Sequence, residues 1–335
     1  MRYWFLLRPD VSRAIGGVKQ IHRLVESITS TGRSAVIIQD DKDFHPGWFT
    51  SNVETISFND WSKLCRKGFD QSANCLVVPE TFAASVFTYS KIIPVVIFNQ
   101  NGSYSFGLSS SKSSFKPSAL INLYRSNLVH HFICVSEYDY SLLSGPFGIP
   151  DNRLSLIRNG IESQHFRLKT PKSKIISYMP RKNVFDANVV TSLLNHQSWL
   201  DGWQIIPIKN FTHEQVISTL SSSLLFLSFG HPEGFGLPVA EALAAGCFVI
   251  GYSGLGGREL FNIGSKYNVA FDIPLGDWVA FVSAVQQVIQ SIEYEPSNVL
   301  SRLSNCSNLI CDTYSLESMS VSVVKALAAI ELRIS

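Results

Sequence analysis

The chain has 335 residues, of which 45% are hydrophobic and 16% are charged. This balance is typical of a folded protein rather than a disordered one, and the length predicts two domains rather than a single small module. Lys and Arg number 28 against 26 Asp and Glu, a net charge of +2, which excludes a strongly electrostatic nucleic-acid binder because such proteins concentrate a basic excess.

The sequence predicts a cytoplasmic chain. Its first apolar run, Tyr3–Leu7, is followed by Arg8 and Pro9 and is too short for a signal-peptide core or a membrane span. The six cysteines form no CxxC pair and are interpreted as free thiols in a reducing compartment. Aromatic and basic residues are mixed over Trp61–Phe69, so peripheral membrane contact stays open as an alternative to a short exposed helix.

Short apolar runs alternate with helical patterns in the first half of the chain. The predicted strands are Tyr3–Leu7, Ala35–Ile38, Cys75–Val78, Val95–Phe98, Phe132–Val135 and Leu154–Ile157. Nearly unbroken apolar runs are typical of strands buried on both faces of a parallel sheet. After the first strand, Val18–Ser30 has apolar residues at helical spacing. The pattern predicts a doubly wound α/β domain, and Ser109–Ser114 is predicted to be a loop.

The same rhythm restarts after the loop Asn159–Pro171 and predicts a second Rossmann-like sheet. Its predicted strands are Ile175–Tyr178, Gln204–Ile206, Leu224–Leu227 and Phe248–Gly251. The predicted helices are Asp186–Asn195, Glu214–Ser221, Leu237–Ala245, Leu275–Ile292 and Asn298–Ile334, the last with a break near Cys311–Ser315. Ligands of such sheets bind outside the carboxyl ends of the strands, so functional residues are sought there.

The most informative segment, residues 231–246, follows the predicted strand Leu224–Leu227 and leads into a helix. The amides at a helix N-terminus bind anions. Glu233 and Glu241 bracket this N-terminus, and because carboxylates repel phosphate, their natural partners are hydroxyls. A nucleotide sugar carries both groups, so the segment predicts a nucleotide-sugar site, although an isolated pair of glutamates would equally suit a solvated helix start. The other residues predicted to bind the donor here are Gly234, Phe235, Gly236 and Leu237.

This segment, with residues 249–259, closely resembles the E-x7-E signature of the group 1 family of retaining glycosyltransferases, which have the GT-B fold. Gly16 and Gly17 resemble the Gly-Gly loop of that family and are predicted to contact the donor. Two further stretches resemble the family's run into its interdomain linker, residues 133–136 and 156–161. The resemblance covers nearly the whole chain and is most specific over residues 224–260.

The resemblance implies two Rossmann-like domains facing across a cleft, with a C-terminal helix crossing back to the first. The expected divisions are an acceptor domain over residues 1–165, a nucleotide-sugar domain over 166–315 and the helix over 316–335. The implied activity is transfer of a sugar with retention of configuration to a glycan, glycolipid or small-molecule hydroxyl, in cell-surface polysaccharide or glycolipid assembly. No metal or other cofactor is expected.

Arg181 and Lys182 lie just past the predicted strand Ile175–Tyr178, after Met179 and Pro180, and resemble the family's Arg/Lys pair, which neutralises the leaving diphosphate. Many relatives separate the two by several residues, whereas they are adjacent here, and which of them contacts phosphate stays open. Together with Glu233 they are the predicted catalytic residues. Glu241 is assigned to the ribose hydroxyls.

Relatives commonly carry a histidine after the fourth or fifth strand of the first domain, where this chain has Asn99–Gly102. Gln100 and Asn101 are therefore predicted to position the donor sugar or the acceptor without moving protons, since an amide does not titrate near neutral pH. Glu137 is the nearest alternative carboxylate, and it is equally explained as an acid in the first turn of a helix.

Two other functions stay open. A GT-B nucleotide-sugar epimerase or hydrolase would form product without an acceptor, and a catalytically silent sugar-binding protein would not need the acidic and basic residues that this chain retains. Asp41 and Asp43 match the D-x-D metal motif of single-domain glycosyltransferases, but they follow the second strand of a two-lobed pattern, so they are not assigned a metal.

Overall fold

The computed structural model describes residues 1–107 and 116–334, and the predicted loop Ser109–Ser114 lies outside them. The chain divides into two compact units. The first is Met1–Gly160 together with Glu317–Ser335, and the second is Ile161–Leu316. The first division thus falls after Gly160, earlier than the boundary that the sequence placed after residue 165.

In the described part of the first unit, parallel strands form a seven-stranded sheet in the order β3-β2-β1-β4-β5-β6-β7. The strands are β1 (Arg2–Leu6), β2 (Ser34–Gln39), β3 (Glu54–Ser57), β4 (Asn74–Pro79), β5 (Val95–Asn99), β6 (His131–Cys134) and β7 (Leu154–Leu156). β5 is buried at every position, as expected for a strand covered on both faces. The unpredicted strand β3 lies at the sheet edge and is mostly half-buried, so it has no continuous apolar run.

The helices of the first unit lie between these strands in the chain. They are α1 (Gly16–Ser30), α2 (Phe58–Lys67), α3 (Val86–Tyr89), α4 (Gly102–Ser105), α5 (Pro117–Arg125) and α6 (Glu137–Ser144). α1 begins at Gly16, so Gly16 and Gly17 form the first turn of the helix rather than a loop before it. The sequence prediction that the helix starts at Val18 is wrong because both glycines adopt helical backbone angles.

The segment Trp61–Phe69 lies largely on the short helix α2, as one of the two interpretations expected, and Trp61 is the buried residue of that helix. Trp61 has no exposed surface, and its ring lies 4.9 Å from that of Tyr89 in the core. Asp60 and Lys63, whose charged atoms are 2.8 Å apart, lie on the exposed side of the helix. Trp61 is therefore a core residue and is not available to a membrane. Among the described residues, no helix has the length and apolar character to cross a bilayer.

Every residue of the second unit is described, and its five parallel strands are ordered β12-β11-β10-β8-β9. The strands are β8 (Ser173–Tyr178), β9 (Gln204–Pro207), β10 (Ser223–Ser228), β11 (Phe248–Gly251) and β12 (Ala270–Asp272). The helices are α7 (Ser163–Phe166), α8 (Val184–Asn195), α9 (His213–Ser222), α10 (Leu237–Ala244), α11 (Arg258–Lys266), α12 (Trp278–Tyr294) and α13 (Pro296–Thr313). Because β10 pairs with both β8 and β11, the loops that follow these three strands are neighbours.

The last helix, α14 (Leu316–Ile334), belongs to the first unit from residue 317 onward. The Glu331 carboxylate accepts a hydrogen bond from the Tyr3 hydroxyl at 3.0 Å and two from the Arg33 guanidinium at 2.6 and 2.8 Å. The chain therefore leaves the first unit after Gly160 and returns to it through α14.

Candidate active site

The loop between β10 and α10 is the centre of the candidate site. Gly236 at the N-cap of α10 has a φ of 91°, a left-handed conformation that glycine adopts without strain. The amides of Val239 and Ala240 donate to the Gly236 carbonyl, and Pro238 has no N–H. Within the first turn, the amide left for an anion is therefore that of Leu237. The N-terminus of α10 therefore offers an anion fewer amide donors than a helix with a full turn of free N–H groups would.

Glu233 lies in a pocket made by glycines. Its amide donates to the Gly254 carbonyl at 2.7 Å, and its carbonyl accepts from the Gly256 amide at 3.0 Å. A Cβ atom on Gly254 would lie 2.7 Å from the Glu233 Cβ, and one on Gly230 would lie 2.8 Å from the Glu233 Cγ. A Cβ on Gly256 would lie 1.9 Å from the Gly234 carbonyl oxygen. The two loops thus pack backbone to backbone because their glycines leave the space.

Lys182 forms an ion pair with Glu233. Its ammonium lies 3.0 Å from the Glu233 carboxylate and donates to the Pro232 carbonyl at 2.5 Å. The two side chains are 17% and 19% exposed. Arg181, in contrast, is exposed. Of the two adjacent cations predicted to contact phosphate, the structure brings Lys182 to Glu233 and leaves Arg181 at the surface.

Asn183 fixes the turn that carries these cations. It adopts a left-handed conformation with a φ of 46°, and its side-chain amide donates to the carbonyls of Phe229 and His231 at 2.8 and 3.0 Å. The loop after β8 is thereby attached to the loop after β10. This attachment positions the Lys182 ammonium next to Glu233.

His231 is a site residue for which the sequence predicted no role. Partial burial, and then the positive charges of Lys182 and Arg258, lower its pKa. Its imidazole is therefore neutral at pH 7 and can donate one hydrogen bond and accept another. The signal in the sequence was its position directly before Pro232 and Glu233 in the loop.

The remaining predicted donor-binding residues have different surroundings. Glu241 lies on α10, a turn beyond Leu237, and is partly exposed. Phe235 is 3% exposed, and its ring contacts that of Tyr314 at 5.3 Å. The Tyr314 hydroxyl donates to Glu259 at 3.0 Å. The buried Phe235 side chain therefore holds the loop in place. A ligand bound at this loop would contact the backbone of Phe235 rather than its ring.

In the first unit, Gly17 and Gln100 are in contact. A Cβ atom on Gly17 would lie 2.9 Å from the Gln100 side-chain oxygen, so glycine at this position admits the amide. Asn101 is 4% exposed, and its side chain accepts a hydrogen bond from the Ser103 amide as the N-cap of α4. Glu137, at the start of α6, lies 2.5 Å from Arg158. Gln100 is thus next to the start of α1, whereas Asn101 stabilises its own turn.

Two buried carboxyl groups that the sequence analysis missed hold this loop. Glu80, which directly follows β4, is 3% exposed and accepts from the Gln100 amide at 3.0 Å. Asp139 on α6 is 1% exposed and accepts from the Gly102 amide at 2.9 Å. Burial raises the pKa of Glu80 to about 8. The position of Glu80 at the carboxyl end of a parallel strand was the signal that could have identified it.

By sequence, a curated glucosyltransferase is similar to part of this chain. No family model matches the chain. An alpha-1,6-glucosyltransferase of Actinobacillus pleuropneumoniae serotype 7 is 32% identical over 105 residues, which are 30% of this chain and 29% of the relative. The matched region is thus less than a third of the length of that relative.

Solved glycosyltransferase structures match almost the whole chain, which shows that it has the GT-B fold. A glycosyltransferase of Rickettsia africae aligns over 98% of both chains with a TM-score of 0.69 and 13% identity. HepE of Anabaena in complex with UDP aligns over 98% of this chain and 100% of its own, with a TM-score of 0.72 and 11% identity. TarM aligns over 98% of both chains with a TM-score of 0.73 and 10% identity.

Proposed function

We propose that this protein is a retaining glycosyltransferase of the group 1 family. It moves a sugar from a nucleotide-sugar donor to a hydroxyl of a glycan, glycolipid or small molecule, in the assembly of a cell-surface polysaccharide or glycolipid. The observation that carries the proposal is the ion pair of Lys182 and Glu233 beside the loop that leads into α10. HepE binds UDP and UDP-glucose on the same fold, which supports a nucleotide-sugar donor.

Each part of the donor has a partner in the second unit. The Leu237 amide and the cations Arg181 and Lys182 bind the diphosphate, Glu233 accepts hydrogen bonds from the donor sugar, and Glu241 accepts them from the ribose. A bound diphosphate competes with Glu233 for the Lys182 ammonium. The carboxylate is then available to sugar hydroxyls. Before the donor binds, the ion pair holds the Lys182 ammonium and the Glu233 carboxylate in place.

In the reaction, the bond between C1 of the sugar and the β-phosphate oxygen breaks, and the bond between C1 and the acceptor oxygen forms on the same face. The acceptor proton passes to the departing phosphate oxygen. Negative charge develops on the diphosphate in the transition state, so fixed cations that touch it lower the barrier. This step needs no protein acid or base, which suits a loop that carries Asn99–Gly102 instead of a histidine.

In the first unit we assign the positioning of the acceptor or sugar to Gln100, whose side chain contacts Gly17. Gly16 and Gly17 keep the start of α1 open to a ligand. Asn101 contributes by fixing the turn, and Glu137 by its pairing with Arg158.

The test is to follow release of nucleoside diphosphate from a panel of nucleotide sugars, beginning with UDP-glucose, with and without acceptors. The proposal expects release that depends on an acceptor and a product with the donor's anomeric configuration. Release without any acceptor would establish the hydrolase instead, and conversion of the donor to an epimeric nucleotide sugar without an acceptor would establish the epimerase. Binding with neither release nor epimerisation of the donor under all conditions would establish the silent sugar-binding protein.

Donor turnover should also continue in excess EDTA, because side-chain cations provide the positive charge at the diphosphate. Loss of turnover that Mg²⁺ or Mn²⁺ restores would contradict this part of the proposal and return attention to Asp41 and Asp43.

A further inference from the structure

The second unit begins with a short turn of helix that presents a carboxylate and an imidazole together. Glu162 precedes α7, and the His165 amide donates to the Glu162 carbonyl at 2.8 Å. Side chains three residues apart on a helical turn lie on the same side. Glu162 is 7% exposed, whereas His165 is exposed.

A second imidazole reaches the same place from α9. His213 is the first residue of that helix, and the capping box of Thr212 and Gln215 fixes the helix start. The His213 Nε2 lies 2.7 Å from the Glu162 carboxylate, and its ring contacts that of Phe166 at a centroid distance of 5.8 Å. The imidazole is therefore oriented by a carboxylate on one side and an aromatic ring on another.

We propose that Glu162, His165 and His213 form a binding site for a divalent transition-metal ion such as Zn²⁺. Among the described residues, these three form the one group of His, Cys, Asp and Glu side chains with metal-ligand spacing, since one donor atom of each lies within 4.8 Å of the others. Ligand atoms around a four-coordinate zinc ion are about 3.3 Å apart, so small side-chain rotations bring the three donors to an ion.

The donor set selects the kind of ion. Two imidazole nitrogens and one carboxylate suit Zn²⁺, Co²⁺, Ni²⁺ or Cu²⁺, whereas Mg²⁺ and Ca²⁺ prefer oxygen ligands throughout. The exposed side, where His165 lies, gives the ion access and leaves room for water as a further ligand. Glu162 and His213 alone would be explained as an ordinary ion pair. The imidazole of His165 adds the third ligand that a metal site needs.

A bound ion would link the segment 162–165, where the chain enters the second unit, to the start of α9. Its role is therefore structural. The proposed metal site uses none of the residues assigned to donor binding, so the proposal does not depend on the glycosyltransferase activity.

The test is titration of the full chain, freed of any polyhistidine tag and of metal, with ZnCl₂ in a calorimeter and with Co²⁺ followed by visible absorption. The expected result is one site of micromolar or tighter affinity and the strong absorption of four-coordinate Co²⁺. His165→Ala should weaken binding at least about tenfold. His165 is exposed, so this variant keeps the fold, and His196→Ala, at an exposed histidine of α8's C-cap, should bind as the wild type does.

Thermal unfolding supplies a second measurement, since an ion that binds only the folded state raises Tm. Zn²⁺ should raise Tm for the wild type and for His196→Ala but not for His165→Ala. Equal affinity of the wild type and His165→Ala, or a weakly absorbing six-coordinate Co²⁺ spectrum, would overturn the proposal.

Discussion

Lys182 and Glu233 are each about four-fifths buried. This burial determines how much either charged side chain is destabilised when the other is removed. A partly buried carboxylate that loses its cation keeps its desolvation cost and no longer has its compensating charge. The same cation is the one that we assign to the leaving diphosphate. A single substitution in this pair therefore tests the two proposed roles, diphosphate binding by Lys182 and sugar binding by Glu233.

Lys182→Met keeps the length of the side chain and removes its charge. Turnover should fall by about 10² to 10³, as for loss of one oriented electrostatic group in a transition state. The measurement is kcat/KM for the donor, with folding checked by circular dichroism. Lys174→Met, which removes an exposed lysine of β8 whose ammonium lies 3.7 Å from the Glu293 carboxylate, should leave turnover unchanged. Unchanged turnover in Lys182→Met would assign the diphosphate to Arg181.

Glu80 predicts a pH dependence of stability. The folded pKa of about 8 lies above the ordinary glutamate pKa of 4.5 because burial disfavours the charge. Between these values the unfolded chain releases a proton that the folded chain retains, so this group's contribution to stability is full below pH 4.5 and is lost as the pH rises toward 8.

Glu80→Gln removes this titration while keeping an oxygen that can accept the Gln100 amide. In urea unfolding at pH 5 and pH 8, the wild type should lose stability relative to Glu80→Gln as the pH rises. Glu214→Gln, at an exposed position of α9, should follow the wild type at both pH values. A constant difference between the wild type and Glu80→Gln across this range would show that Glu80 is already ionised in the fold.

At the scale of elements, the site depends on loops that pack backbone against backbone. Gly256 has ordinary backbone angles, so its requirement for glycine is steric alone, and the atom in the way is the Gly234 carbonyl oxygen. A backbone atom cannot rotate aside as the end of a side chain can.

Gly256→Ala should therefore destabilise the fold by about 1–3 kcal/mol, as overpacking does, and should weaken binding of the nucleotide-sugar donor by displacing Glu233. Gly202→Ala is the matched control, because Gly202 has a φ of 79° with nothing near its Cβ position, so it should cost backbone strain without a loss of binding. The measurements are Tm and titration with a nucleotide sugar. Wild-type affinity in Gly256→Ala would separate the glycine packing from the site.

The predictable elements were those with a continuous apolar run. β5 and β10 are buried over nearly all their length and are clear in the sequence. β12 has three residues and β3 lies at a sheet edge, so neither has an apolar run long enough to identify it.

The site was predictable as far as local motifs extend. The loop that carries Glu233 was found from its own residues, but the closeness of Lys182 to Glu233 depends on the left-handed bend at Asn183. The cluster of Glu162 and His213 joins segments far apart in the chain, and such a contact exists only once the fold brings them together.

At the scale of the whole chain, α14 completes the first unit through Glu331. The hydrogen bonds from Arg33 lower the pKa of this carboxyl group. A lowered folded pKa contributes stability above the unfolded pKa and loses it as the pH falls through the folded value.

Glu331→Gln should therefore cost about 1 kcal/mol or less at pH 7, typical of a partly exposed ion pair, and progressively less as the solution is acidified below pH 4.5. The measurement is the urea midpoint of both proteins at pH 7 and pH 3.5. A difference that stays constant with pH would show that Glu331 contributes through packing rather than charge.

The return of the chain to its first unit has a consequence for synthesis. Residues 161–316 are continuous, so the second unit can fold as soon as they leave the ribosome. The first unit begins earlier in the chain, yet Tyr3 and Arg33 have no Glu331 to bind until α14 has been made. The half that is translated first is thus the half that is completed last, and it must stay soluble without α14 while the whole of the second unit is produced.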